Sequence, residues 1–468
     1  MTLIKSISGI RGIIGGKPGD GLTPVDLVKF TAAFSVWTRQ QAKAKGHVGR
    51  ITIVMGRDAR ISGTMVQQIV TGTLIGMGVD VVDAGLATTP TVEMAVVAEE
   101  AQGGLIITAS HNPMQWNALK MLDCNGEFLD DKDGKRILSI ADSDDFSFAA
   151  ADKLGKVIKK DYARYHIEKV LELPLVDVDI IRQKNFTVSI DCVNSVGGLV
   201  IPQLLRALGV ENIYELYCEP NGEFPHNPEP LPEHLTSISE LHRNKKIDVG
   251  FVVDPDVDRL AIVNEDGSMF GEEYTLVAVA DYVLSRTKGN TASNLSSTRA
   301  LRDITQAYGG QHTASAVGEV NVVAAMKANA AVIGGEGNGG VIYPRLHYGR
   351  DALVGIALFL SHLAKSGKTC SQLRKQYPQY YISKNKIELK SDVDADAVLL
   401  KMKQHYANEQ VNDIDGVKID FANEWVHLRK SNTEPIIRIY AESKTKEQAD
   451  RLAKRIMTEF GAYSYGKP

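Results

Sequence analysis

The chain is short of three things, and each shortage excludes something. It has four cysteines (Cys124, Cys192, Cys218 and Cys370) in 468 residues, and none forms a C-x-x-C pair. That excludes a disulfide framework and a cysteine zinc site, and it leads us to expect reduced thiols in a cytoplasmic protein. No run approaches the ~18 apolar residues of a membrane span, so no membrane partner is expected. The opening MTLIKSISGIRGIIGG is apolar but broken by glycine. It lacks a small-residue cleavage pattern and reads as mature sequence. Positive charge is not in excess either: 53 Lys and Arg face 57 Asp and Glu, a formal net charge of −4. A nucleic-acid partner needs a basic field that is absent here. Any phosphate recognition must be local, built from a few arginines and backbone N–H groups.

What remains is ordinary globular composition, 44% hydrophobic and 24% charged. Length alone allows about three domains, with four admissible. Strand-like and helix-like runs alternate. RITIVMG (50–56) precedes the helically spaced TMVQQIVTGTLIGMG (64–78), and VDVVDAG (79–85) follows as a strand. FTVSIDC (186–192) leads into LVIPQLLRALG, and the helical VAAMKANA (323–330) into the strand AVIGGE (331–336). Such alternation predicts mostly parallel sheets covered on both faces, with ligands beyond the carboxyl ends of strands. A loose repeat (ITIVMGRDARISG, FTVSIDCVNSVGG, NTASNLSSTRAL) suggests several similar α/β units, and GRDAR (56–60) is echoed by GRDAL (349–353). The last ~100 residues alternate instead like antiparallel strands and end in a helical run, which predicts a separate α+β domain. Polar, turn-rich stretches near 130–147, 265–273 and 364–373 mark the breaks. The expected domains are 1–150, 151–268, 269–369 and 370–468, three related mixed-sheet α/β domains and a smaller α+β one.

Four loops carry chemistry. In TASHNPMQWNALK, Ser110 follows a buried strand, His111 is adjacent and Lys120 is ten residues on. Taken alone, this loop is better explained as a plain turn, since Ser, Asn and Pro are common turn residues. A Ser-His-Asp hydrolase fits less well, because there is no G-x-S-x-G. In VGFVVDPDVDRLAIVNEDG, Asp254, Asp256 and Asp258 alternate after an apolar strand. Three carboxylates this close repel unless a cation joins them, and oxygen-only ligands suit Mg²⁺ or Ca²⁺. An EF-hand is disfavoured: Arg259 stands where that loop needs glycine, and the flanks read as strands. DVDADA (392–397) has the same spacing without a buried strand before it and reads as a helix start. In GGEGNGG (334–340), glycines admit close backbone approach, and Glu336 and Asn338 suit sugar hydroxyls. The absence of Gly-Lys-Ser/Thr excludes an ATP P-loop. In RKSNTEPIIRIYAE, Arg429, Ser431, Asn432, Thr433 and Arg438 gather the donors a phosphate dianion needs, although a polar hairpin would also explain them.

A serine, a divalent-metal loop, a sugar loop and a phosphate clamp together describe phosphoryl transfer on a sugar phosphate. With TASHNP, D-x-D-x-D-R, G-E-x-x-G-G and R-x-S-N-T-E-P in this order, the chain resembles the α-D-phosphohexomutase superfamily over essentially its whole length. The resemblance implies four domains around a central cleft and interconversion of hexose 1- and 6-phosphates. It makes Ser110 a phosphoserine that holds Mg²⁺ together with Asp254, Asp256 and Asp258. It places Arg11, Lys120, His111 and Arg259 at the reaction centre, Glu336 and Asn338 on the sugar, and Arg429, Ser431, Asn432, Thr433 and Arg438 on the phosphate that is not reacting. It also implies a hexose 1,6-bisphosphate intermediate and activator. Small-molecule hexose phosphates are the expected partners, and the chain is expected as a monomer or homodimer.

The sugar is read from departures. Phosphomanno/phosphoglucomutases usually end the sugar loop in histidine, where this chain has Gly340, and often carry histidine where AVGEVNV supplies Glu319. An acid there favours the ammonium of glucosamine phosphate, and GEGNGG is similar to phosphoglucosamine mutases of the archaeal type. The alternatives are a phosphomannomutase/phosphoglucomutase and, from another class, a non-catalytic sugar-phosphate sensor. A Ser110 phosphatase is a further option, disfavoured because no histidines cluster along the sequence. The general base is left between Lys120 and a neighbouring acid.

Overall fold

The computed structural model describes every residue except 1, 7–8, 391–392, 432–435 and 466–468, and all counts here refer to the described residues. It divides into two compact units, Met1–Tyr282 with Asn338–Arg374, and Val283–Gly337 with Lys375–Pro468. The expected third domain is thus shared between the two units.

The first unit holds two mixed sheets. In the larger one the seven strands run, edge to edge, Ile4–Ser6, Gly9–Ile13, Trp116–Leu122, Gly103–Ile107, Thr52–Arg57, Asp80–Leu86 and Val157–Lys159. The strands that alternate with helices are parallel, and Trp116–Leu122 turns back antiparallel to Gly103–Ile107. The second sheet repeats this plan. Thr187–Asp191 pairs in parallel with Asn212–Leu216 and Val249–Val253, and Leu260–Asn264 returns antiparallel. Gly103–Ile107, Val249–Val253 and Leu260–Asn264 are buried at every position, as expected for sheets covered on both faces. In both sheets the loop leaving the carboxyl end of a buried parallel strand is therefore a short return, and Ser110 and the three aspartates sit on those two returns.

One sequence expectation needs correction. The polar stretch 130–147 is not simply a break, because it contains the helix Asp131–Asp142. Asp130 caps it by accepting from the Asp133 amide, and Ile137, Ile140 and Ala141 are buried. Its apolar residues are few, but they fall at helical spacing.

The second unit contains the parallel strands His312–Ser315, Asn290–Asn294 and Ala331–Glu336, in that order. It also contains a five-stranded antiparallel sheet, Tyr381–Glu388, Ile436–Ser443, Trp425–Lys430, Val417–Asp420 and Gln410–Asn412. The helices Ala395–His405 and Lys446–Tyr465 close the core of this sheet through Val398, Met402, Leu452, Ile456 and Phe460. Asp394 caps the first of them, so 394–397 of DVDADA is a helix start; Asp392 lies outside the described residues. The fold is thus three mixed-sheet α/β regions and an α+β region.

Candidate active site

Ser110 is buried and has φ +48°, a left-handed conformation that costs a serine energy and persists only where surroundings hold it. The holding group is Arg60. Its guanidinium is buried and donates to five acceptors: Nη2 to the carbonyls of Ser110 (2.5 Å) and Asn112 (2.6 Å), Nη1 to those of Pro113 (2.7 Å) and Trp116 (3.1 Å), and Nε to Asp58 (3.0 Å). Every donor of the guanidinium fork is matched. Asp58 also accepts from Thr108 Oγ1 at 2.6 Å, and Thr108 Oγ1 accepts from the Ser110 amide at 2.9 Å. The serine loop is therefore fixed from below by its carbonyls, which leaves the Ser110 hydroxyl for chemistry.

That hydroxyl donates to Asp254 Oδ2 at 2.6 Å. Asp254, Asp256 and Asp258 are all buried, and one oxygen from each lies within 4.8 Å of the others. The loop between them is strained as well, since Val257 has φ +64°, uncommon for a β-branched residue. Asp254 Oδ1 accepts from the amides of Asp258 and Arg259 at 3.1 and 3.2 Å. Asp256 Oδ2 accepts from Lys120 Nζ and Thr89 Oγ1, each at 2.7 Å. Asp258 Oδ2 accepts from Arg350 Nη2 at 2.7 Å and lies 3.5 Å from Lys120 Nζ. Asp256 Oδ1 and Asp258 Oδ1 are buried and make no hydrogen bond. Burial, followed by the charges of Asp258 and Asp256, pushes the Asp254 carboxyl well above its ordinary range. Three crowded carboxylates, two unmatched oxygens and an all-oxygen donor set fit a hard divalent cation. The flanks are strands, so an EF-hand is excluded.

Positive groups surround the serine. Burial, then Arg259, Arg11 and Arg350, hold the His111 imidazole well below its usual pKa. His111 Nδ1 is 3.5 Å from the Ser110 hydroxyl. Burial opposes the charge on Lys120, but Asp256 and Asp258 outweigh it and raise its pKa, so Lys120 stands as an ammonium. Arg259 also pairs with Glu229 at 3.3 Å. A cluster of cations around a hydroxyl is what an incoming phosphate dianion requires.

The remaining predicted residues fall in two places. Asn338 belongs to the first unit, where its Oδ1 accepts from the Gly340 amide at 3.2 Å. Glu336 and Glu319 belong to the second unit and are buried. Glu336 Oε1 accepts from Asn294 Nδ2 at 2.8 Å and from the amide of Gly318, next to Glu319, at 3.2 Å. Arg429 and Arg438 face each other across paired strands. Arg429 Nε also lies 3.8 Å from Asp415 Oδ2. Ser431 is buried, and its amide donates to the Ile436 carbonyl at 3.0 Å. Asn432 and Thr433 lie outside the described residues.

Sequence reasoning missed Asp58, Arg60, Thr89, Glu229 and Arg350. The echo of GRDAR in GRDAL was the available signal, because these two turns supply Arg60 and Arg350. It also missed a cluster of histidines. His166 and His347 meet at Asp351 Oδ2, with Nε2 distances of 2.9 and 3.3 Å. The sequence argument that no histidines cluster is corrected here, since residues far apart in the chain converge.

Comparison with known proteins follows the same lines. The four domain descriptions of phosphoglucomutase/phosphomannomutase match in order: alpha/beta/alpha domain I over residues 3–148, domain II over 164–267, domain III over 271–381 and the C-terminal domain over 386–459. The chain is 34% identical to a phosphoglucomutase/phosphomannomutase of Thermococcus kodakarensis, covering 94% of each chain. It is 31% identical to a probable phosphoglucosamine mutase of Methanopyrus kandleri, covering 95% of each. A solved phosphoglucomutase/phosphomannomutase family protein from Burkholderia thailandensis superposes with a TM-score of 0.85 at 25% identity, covering 99% of this chain and 98% of that one. With the serine, the acidic loop and the cationic ring assembled in one unit, the chain belongs to the phosphoglucomutase/phosphomannomutase family of enzymes.

Proposed function

We propose that this phosphohexomutase interconverts glucosamine 6-phosphate and glucosamine 1-phosphate through phospho-Ser110 and a hexose 1,6-bisphosphate. The observation that carries the chemistry is the Ser110 hydroxyl at 2.6 Å from Asp254, inside an acidic triad with two unmatched oxygens. Phospho-Ser110 passes its phosphoryl group to the free hydroxyl of the bound monophosphate. A new P–O bond forms to the sugar, the seryl P–O bond breaks, and the hydroxyl loses its proton. The bisphosphate turns over and returns its other phosphate to Ser110. Asp254, Asp256 and Asp258 would hold Mg²⁺, which would draw charge from the phosphoryl oxygens. Arg11, Arg259 and the Lys120 ammonium lie where they can neutralise the rest. The base that takes this proton is Lys120, which lies 2.7 Å from Asp256, or a neighbouring carboxylate.

Support for the amino sugar comes from the acid Glu319, which follows the Gly318 amide that Glu336 binds, and from relatives named as probable phosphoglucosamine mutases. The second reading, glucose or mannose phosphate, is favoured by the Thermococcus relative's name. A turnover panel of glucosamine, glucose and mannose phosphates, with bisphosphate activator, tests the substrate. Preference for mannose or glucose phosphate would replace it. We further infer a cytoplasmic monomer or homodimer with no macromolecular ligand; among the described residues no helix is long and apolar enough to cross a membrane.

A further inference from the structure

The acidic loop is braced by two elements distant in sequence. The helix Thr89–Ala98 presents Thr89, whose hydroxyl and amide bind the Asp256 carboxylate (2.7 Å) and carbonyl (2.9 Å). The turn 347–352 presents Arg350, which donates to Asp258 Oδ2 at 2.7 Å, and the Ala352 amide, which donates to the Val257 carbonyl at 3.2 Å. These two braces are joined to each other. One helical turn beyond Thr89, the buried Glu93 lies with Oε2 3.3 Å from His347 Nδ1. The opposite ring nitrogen of His347 lies 3.3 Å from Asp351 Oδ2, and Asp351 also accepts from the Leu353 and Val354 amides, capping the helix Ala352–Ser366. His166 Nε2 reaches the same Asp351 oxygen at 2.9 Å, and its Nδ1 reaches Thr91 Oγ1 at 2.9 Å, back on the first helix.

We propose that His347 is a positioning residue for the acidic loop: it ties the helix that carries Thr89 to the turn that carries Arg350, and so fixes the two contacts that aim Asp256 and Asp258. The tie lies in a largely buried region, with the Glu93 side chain 1% and the His347 side chain 12% exposed. Its Glu93–His347 link is a charge contact, since neither Glu93 oxygen makes a hydrogen bond, whereas the His347–Asp351 link is hydrogen-bonded. Burial would lower the His347 pKa, but hydrogen bonds and charge from Asp351 and Glu93 reverse this and raise it to about 10. Burial pushes the Glu93 carboxyl up, and His347 offsets this only in part. The fit is close. A Cβ on Gly349 would lie 1.8 Å from Glu93 Oε2 and 2.8 Å from His347 Cε1, so only glycine lets the turn approach.

This inference rests on the acidic loop being the metal site, and the experiment separates the two. Mn²⁺ binding to the full chain is measured by electron paramagnetic resonance, alongside kcat and KM for the sugar phosphate. His347→Gln, Glu93→Gln and Gly349→Ala should each weaken Mn²⁺ binding on the order of tenfold and lower kcat, with KM within about twofold, as for groups that orient metal ligands without touching substrate. The double variant His347→Gln/Glu93→Gln should be no worse than the worse single one, because both remove one link. Folded variants with wild-type Mn²⁺ affinity would overturn the tie, and Gly349→Ala decides the matter if His347→Gln fails to fold. If wild-type Mn²⁺ binding is indifferent to Asp258→Asn, the metal reading fails and takes this inference with it. Recovery of a zinc ion from wild type, absent from His347→Gln, would replace the hydrogen-bonded tie with a structural metal centre of His166, His347 and Asp351.

Discussion

The turns GRDAR (56–60) and GRDAL (349–353) share Gly-Arg-Asp-Ala, and they do different work, the first through Asp58 and the following Arg60, the second through Arg350 in the place of Arg57. In the first, Asp58 and Arg60 turn toward the serine loop and fill its backbone carbonyls until none of Arg60's donors is left. In the second, Arg350 turns toward the acidic loop and touches one carboxylate oxygen, leaving its partner Asp258 Oδ1 unmatched. The serine loop is finished by its support; the acidic loop is aimed by its support and keeps valences for a ligand. Ser195 links the two, with its hydroxyl 3.3 Å from the Ala59 amide and 2.7 Å from the Pro255 carbonyl. The serine loop is thus built for rigidity and the acidic loop for capacity. Substitutions should accordingly separate stability from activity.

The largest effect belongs to the acidic loop. Asp258→Asn should lower turnover by at least about 10²-fold while leaving the denaturation midpoint unchanged or higher, since it relieves repulsion among three buried carboxylates. A variant that unfolds before it loses activity would break the comparison. Arg60→Met should do the reverse. It removes the charge partner of the buried Asp58 and five hydrogen bonds of the serine loop's support, and should cost about 3–5 kcal/mol of stability, read from denaturant titration. Residual turnover in whatever remains folded should exceed that of Asp258→Asn.

The second support has a pH signature of its own in His347. The His347 pKa rises from 6.5 to about 10 in the folded protein. A group whose folded pKa is raised contributes stability that is fully present below its unfolded value, here about pH 6.5, and lost as pH climbs through about 10. Denaturation midpoints at pH 7 and pH 10 should therefore fall further for wild type than for His347→Gln. Equal losses would mean the ring is neutral throughout.

Both loops were legible in the sequence because each is contiguous: a buried strand, then the functional residues, then a returning strand. Their supports were not. Arg60 reaches Ser110 across 50 residues and Arg350 reaches Asp258 across 92. A single arginine in a turn carries no sign of which carbonyls it will fill. His166 and Asp351, 185 residues apart, meet only because one helix and one turn pack on the same buried corner. The helix Asp131–Asp142 was hidden for a different reason: three buried apolar residues in a charged run register as a break unless their spacing is counted. Alternating strands and helices, which depend on local periodicity, gave the α/β class and the antiparallel C-terminal sheet directly.

The smallest expected effect concerns what neither loop does, which is choose the sugar. Glu319 is the candidate for that choice, buried at the start of the helix Glu319–Ala328 and preceded by the Gly318 amide that binds Glu336. An acid facing the sugar favours an ammonium over a hydroxyl, and a desolvated charge pair is worth about 1–3 kcal/mol, or roughly ten- to a hundredfold in selectivity. Glu319→Gln should therefore lower kcat/KM for glucosamine phosphate more than for glucose phosphate. The ratio of the two constants is the quantity to measure, because a general defect of the phosphoryl-transfer loops lowers both equally. Asp258→Asn supplies that control, reducing both and leaving the ratio at its wild-type value. A Glu319→Gln ratio equal to that control would remove Glu319 from substrate selection while leaving the two-loop centre intact.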